Sequence, residues 1–150
     1  MARSQITLDP PAIGTAPCTA AGCKGAVGVP VWMWIDGGFP TRSATASVLG
    51  VTVTVTATMD RVDWSMGDGT TITCTTPGTR YTTALGWAQS PDCGHVYQQT
   101  SREQPGGTYP IVATARWTVR FTGAYQATTS ATTTSQVNAT IGEYQVVVVG

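Results

Sequence analysis

Cys74, Cys93 and His95 are the residues whose types and spacing could do chemistry in this chain. On an extended strand, side chains two residues apart share a face, so Cys93-Gly94-His95 sets a sulfur beside an imidazole. With Cys74 and another cysteine they could surround a zinc ion. No C-x-x-C pair accompanies them, and a Cys74–Cys93 disulfide accounts for both sulfurs more simply. His95 is the only histidine, so any imidazole proton relay must use it. A general base also needs a nucleophile and an orienting carboxylate, and no G-x-S-x-G or comparable context stands nearby. Asp63, Asp68 and Asp92 could offer carboxylates to calcium. That ion takes about six to eight oxygens, and no D-x-[DN]-x-[DN]-G run is present. No Ser/His/Asp, Cys/His or paired-carboxylate spacing stands out, and no G-x-x-x-x-G-K-[ST] loop occurs. The expectation is a chain without catalytic, cofactor-binding or metal-binding residues, and with no cofactor.

The elements that must position these residues follow from the rest of the chain. Its 150 residues support one domain with a sizeable core. Eight basic and eight acidic side chains cancel and only 11% of residues are charged, so there is no field to attract a nucleic acid. Lys24 is the only lysine, and Thr, Ser, Gln and Asn supply the polar surface, as in many extracellular β-proteins. Four cysteines permit three pairings. We expect Cys18 with Cys23 and Cys74 with Cys93, as in an oxidising compartment. No apolar run approaches the ~18 to 20 residues of a membrane span. Met1-Ala2-Arg3-Ser4-Gln5 has no hydrophobic segment of a secretion signal, so Met1 is expected to open a trimmed form of a longer exported chain.

Period-two alternation recurs, and no helical period lasts, so the chain reads as all-β. A short strand is expected over residues 5–8, followed by a Pro/Gly/Ala-rich stretch over 10–28, so that residues 1–28 form an N-terminal extension to a domain over 29–150. Residues 29–35 are apolar on both faces and predict a strand covered on both sides. Val51, Val53, Val55, Ala57 and Met59 alternate with threonines, and Ile111, Ala113, Ala115, Trp117, Val119 and Phe121 alternate with more polar residues. These two long strands are expected to face each other across a sandwich core. Val62, Trp64 and Met66 share one face of a further strand that ends at Gly67-Asp68-Gly69. Glycines tolerant of positive φ and an aspartate able to bond its own backbone predict a tight turn there, leading into residues 70–76. Residues 126–140 predict an exposed strand, Gly142-Glu143 a turn, and residues 144–149 a last strand.

Trp64-Ser65-Met66-Gly67-Asp68-Gly69, then His95-Val96-Tyr97, then Pro105-Gly106-Gly107-Thr108-Tyr109-Pro110 before a long alternating strand, together resemble the polycystic-kidney-disease (PKD) domain. That family carries W-x-F-G-D-G, His-x-Tyr and Pro-Gly-x-Tyr in this order, and the resemblance covers about residues 51–121. Met66 stands where the family has Phe, and an insertion over residues 77–91 precedes the His-x-Tyr strand. The resemblance implies an Ig-like antiparallel β-sandwich with an inserted, disulfide-closed loop, and places His95 in a structural strand. Some PKD domains near carbohydrate- or collagen-active enzymes bind calcium. Gly107-Thr108-Tyr109 is also compatible with a tyrosine corner. The whole chain, and especially residues 29–35, 64–69, 90–94 and 141–146, further resembles the C-terminal domain of secreted actinobacterial proteins of unknown role, which implies an extracellular or cell-envelope location.

The functional expectation is a non-catalytic module that spaces or docks other parts of a secreted or envelope-associated protein. Contact with a protein partner is expected from the inserted loop at Arg80, Tyr81, Leu85 and Trp87, because a stapled loop presents aromatic and Arg anchors at low ordering cost. The alternative is a carbohydrate or cell-wall polysaccharide module using exposed aromatics. Trp32 and Trp34 are expected to pack in the core or between sheets, Asp63 to pair with Arg61 at the surface, and the threonine rows to be solvated strand faces. Asn138-Ala139-Thr140 matches a glycosylation sequon. Nothing in the sequence sets an oligomeric state.

Overall fold

Inward-facing residues run on odd numbers from Val51 to Met59 and on even numbers from Val62 to Met66, a change of phase that a regular strand cannot hold. The structure, a computed structural model, describes residues 6–143. In it a single strand, β5 (Val51–Ser65), spans both phases. A register shift between Met59 and Arg61 absorbs the extra residue, a bulge that restores Val62 and Trp64 to the buried side. Asp60 stays on the polar face, where the Thr118 hydroxyl donates to it.

The remaining strands are β1 (Ile13–Ala16), β2 (Gly25–Ala26), β3 (Val31–Ile35), β4 (Thr41–Val48), β6 (Thr71–Cys74), β7 (Gly94–His95), β8 (Tyr109–Gly123), β9 (Ala127–Ala139) and β10 (Ile141–Gly142). One antiparallel sheet has the order β4-β5-β8-β9, and β6 follows β4 along the same edge of β5. A smaller antiparallel sheet has the order β1-β3-β7, and β2 pairs in parallel with β10. Among the described residues the only helical segments are two single 3-10 turns.

The two long alternating strands do not face each other, which corrects the sequence expectation. β5 and β8 lie side by side, paired from Val53↔Gly123 to Ser65↔Val112. Both carry one apolar and one polar face, so as neighbours they present one continuous apolar surface. Its cover is β3, whose five residues are all buried. Val31, Met33 and Ile35 close on Met59, Trp64 and Ile111 in one core. The core stops near Ala57 and Val119, with Val55 and Phe121 at its margin, so the far ends of β4, β5, β8 and β9 reach beyond the small sheet. Leu49, Val51 and Tyr125 are exposed there.

Three further differences from the sequence reading stand out. Ile6 to Leu8 form no strand; the first strand is β1, inside the stretch expected to be irregular, because Pro10-Pro11 offers no backbone donor and pairing can begin only beyond it. β4 was not foreseen, since Ala44 and Ala46 make a faint apolar row. Gly142 belongs to β10, which pairs with β2, and is not part of a turn. Trp32 and Trp34 are buried, as expected, on the face of β3 opposite Met33 and outside the main cluster. The strand expected over 144–149 lies outside the described residues. Both expected disulfides are present, Cys18–Cys23 and Cys74–Cys93.

Candidate functional site

The chain between Cys74 and Cys93 leaves the end of β6, folds over the outer face of β3 and returns into β7. Its first residues run along the β3 edge, where Ile35 N–H donates to Pro77 O at 2.7 Å. Gly78 makes the closest approach: a Cβ there would lie 2.5 Å from Met33 O, and its φ of +86° also favours glycine. Trp32 Nε1 donates to Ala88 O at 2.8 Å, and the Tyr81 ring meets the Trp32 indole edge-on with centroids 5.3 Å apart. The apolar outer face of β3 is therefore covered by the insertion, the physical reason Trp32 is 3% exposed although it lies outside the main cluster. Trp34 Nε1 is held by Asp36 at 2.8 Å.

Asp92 ties the loop's base together. Its carboxylate accepts from Thr76, Thr79 and Ser90 hydroxyls at 2.9, 3.1 and 3.2 Å, and Ser90 Oγ accepts from Cys93 N–H at 3.0 Å. Partial burial alone pushes the Asp92 carboxyl upward, but the hydroxyl donors outweigh it and hold it below the ordinary value. Within the loop, Tyr81 donates its hydroxyl to Gly86 O at 2.7 Å, across the 3-10 turn Thr83–Leu85. Tyr81 is thus turned inward as a brace. Trp87, 64% exposed, and Leu85, 41% exposed, face outward with Arg80.

At the loop's foot the Gly67-Asp68-Gly69 turn meets His95, Tyr97 and Tyr109. Gly67 and Gly69, with φ of +84° and +89°, permit the turn. Asp68 between them accepts from Thr70 N–H at 3.1 Å and bonds His95 Nε2 at 2.7 Å. Burial pushes the Asp68 carboxyl up, while His95 and the Thr70 amide pull it down further, so the net direction is down. The His95 ring stands edge-on to Tyr97, which stacks on Tyr109 with centroids 4.6 Å apart. Tyr97 donates to Met66 O at 2.7 Å, and burial raises its phenol well above the usual range. Tyr109 donates to Gln99 O and Thr100 O at 2.9 and 3.0 Å, the hydroxyl-to-upstream-backbone contact of a tyrosine corner, and burial raises its phenol too. Trp64 is buried behind the turn.

A cleft of about 430 Å³ runs between β7 and the returning loop, lined by Ser90, Asp92 and His95 among others. Ser90 donates to Asp92 within it, and His95 bonds Asp68 beside it. No side-chain hydroxyl hydrogen-bonds the His95 ring among the described residues, so the imidazole has a carboxylate but no nucleophile in bonding contact. Cys74 and Cys93 are bonded together, which replaces the zinc alternative. The three candidate calcium carboxylates are separately engaged. Asp63 takes Arg116 at 2.7 Å and the Thr73 hydroxyl, and Arg116 foremost holds its carboxyl low; Arg61, the expected partner, stands at 4.0 Å. Sequence reasoning missed Asp92 as the loop's tie, although Ser90-Pro91-Asp92 carries a local turn signal.

Fold and site define an all-β, sandwich-like protein braced by two disulfides, with an ordered aromatic loop on its small sheet. No family model, curated protein or solved structure matches the chain.

Proposed function

We propose that this chain is a non-catalytic, PKD-like module of a secreted or envelope-associated protein, and that its inserted loop docks onto another protein. The PKD reading is supported by the contacts among its signature residues: Asp68 with His95, Tyr97 with Met66 O, and Tyr109 with the backbone before it. Two disulfides fit an oxidising location. No helix among the described residues is long and apolar enough to cross a membrane.

One observation carries the docking reading. Trp87 and Leu85 are exposed on a loop whose other contacts are internal: the disulfide, the Asp92 tie, and the Tyr81 and Trp32 braces. Exposed apolar anchors held in place before contact lose little entropy on binding, and aromatic and Arg anchors dominate protein interfaces. A photo-crosslinking amino acid at position 85, presented to the surface proteins of the source cell, should mark one protein species. Trp87→Ala should abolish that mark while leaving the far-UV circular dichroism unchanged. Equal crosslinking by the Trp87→Ala form would remove the loop from consideration. An exposed indole can also stack on sugar rings. Retention on purified cell-wall polysaccharide, lost in Trp87→Ala, would assign the loop to that ligand instead.

A further inference from the structure

Among the described residues β9 is the outermost strand of the large sheet, paired with β8 through thirteen residue pairs from Tyr109↔Ala139 to Phe121↔Ala127. Its other edge carries N–H and C=O groups that find no backbone partner among the described residues. Proteins normally blunt such an edge with charge, proline, a bulge or shortness, because it is a template for pairing with another chain. β9 has none of these. Its thirteen residues include no charged side chain and no proline, and its ladder is unbroken. The opposite edge, β4, has eight residues and carries Arg42, tied to Asp9.

We infer that β9 pairs antiparallel with β9 of a second copy of this chain, about a two-fold axis perpendicular to the sheet, joining two large sheets into one. The absence of charge favours a second copy over a foreign strand. Two copies meet without like-charge repulsion, and a charged peptide finds no complement. The row Thr128, Ser130, Thr132 and Thr134 is exposed on one face. The same hydroxyl chemistry already pairs across an antiparallel ladder within the chain, at Thr41–Thr58, Thr45–Thr54 and Ser47–Thr52. Alternation allows the axis to pair even positions only with even ones. Full overlap centres on Thr133, setting Ser130 opposite the partner's Gln136 and Thr132 opposite the partner's Thr134.

The size of this contact sets its strength. Thirteen residues give an edge about 44 Å long. With a depth of about 10 Å, counted on both partners, it buries about 900 Å², below the roughly 1,200 Å² at which stable specific interfaces begin, so the dimer is a weak one that dissociates on dilution. The inserted loop lies on the other sheet, and this pairing stands or falls independently of what the loop binds.

Sedimentation velocity over a concentration series tests it with two charge sets, Ser130→Lys with Gln136→Lys and Ser130→Glu with Gln136→Glu. Both positions are exposed, and circular dichroism checks that each form is folded. The parent chain should dimerise. Each set alone should bind itself roughly tenfold or more weakly, and an equimolar mixture should recover the dimer, now with Lys opposite Glu. A parent that stays monomeric throughout the series would overturn the inference, as would a lysine set that dimerises like the parent. Association lost on removing residues 144–150 but kept by the lysine set would assign the contact to the C-terminal segment, again against β9.

Discussion

The Cys74–Cys93 bond should contribute more to stability than Cys18–Cys23, and should also govern the order of the inserted loop. Replacing each pair by alanine isolates the two effects. The bonds close sequence separations of 19 and 5 residues. Restricting the unfolded chain through loops of those sizes is worth about 3 and about 2 kcal/mol, a difference of about 1 kcal/mol. Burial widens the gap. Cys74 and Cys93 are each 2% exposed, whereas Cys18 is exposed and Cys23 half-buried, so removing the two buried sulfurs adds roughly 1 kcal/mol of lost packing. Cys74→Ala/Cys93→Ala should therefore lose about 4 kcal/mol, and Cys18→Ala/Cys23→Ala about 2 kcal/mol. Urea unfolding followed by tryptophan fluorescence gives both values. Free energies rather than midpoints must be compared, because removing a cross-link expands the unfolded chain and raises m. Hydrogen exchange at Tyr81 to Ala88 should accelerate in the first variant only. A Cys18/Cys23 variant that loses as much as the other, or unchanged loop exchange when Cys74 and Cys93 are replaced, would refute the brace.

Three further outcomes follow from the packing and the charges. Trp87 is 64% exposed while the other four indoles are 9% exposed or less, so Trp87→Phe should remove most acrylamide quenching and shift the remaining emission to the blue. Gly14→Ala should destabilise by about 1 to 3 kcal/mol in thermal or urea unfolding, because a Cβ would sit 2.1 Å from Trp34 Nε1 and Asp36 holds that indole in place. Asp63, Asp68 and Asp92 all have folded-state values below the ordinary 3.8. Their contribution is complete above that value and is lost as pH falls through their lowered folded values, so Tm should decline on acidification below about pH 4. Asp92→Asn should flatten that decline, and an unchanged slope would mean its three hydroxyl contacts add nothing to its folded-state affinity for charge.

Much of the fold was legible wherever a local rule decides it. Strict alternation marks the buried faces of β5 and β8, and the Gly67-Asp68-Gly69 turn follows from φ tolerance; the change of phase between Met59 and Val62 reads as a break between two strands, where the structure has one strand with a bulge. The cysteine pairing was legible for the same reason, since each pair brackets a short loop. β4 escaped because alanine rows have little hydrophobic contrast, and β2 and β10 escaped because two-residue strands have no period.

The candidate site was only half visible. Arg80, Tyr81, Leu85 and Trp87 could be picked out as a group, but Tyr81 looks the same in sequence whether its hydroxyl faces solvent or Gly86 O. The two-sided apolar run at Trp32 and Trp34 announces that something covers both faces; it does not say that the second cover is a loop that begins some forty residues later.

The sequence by itself determined the class of structure, the faces each long strand buries and the turn, because these depend on neighbours within a few residues. Only the tertiary structure decided that β5 and β8 are sheet neighbours and that β3 is their cover. Alternation records that a side chain leaves water, and the free energy of leaving water is nearly the same against any apolar surface. Which surface it meets depends on registers such as Val53 with Gly123, set by the joint packing of the whole chain.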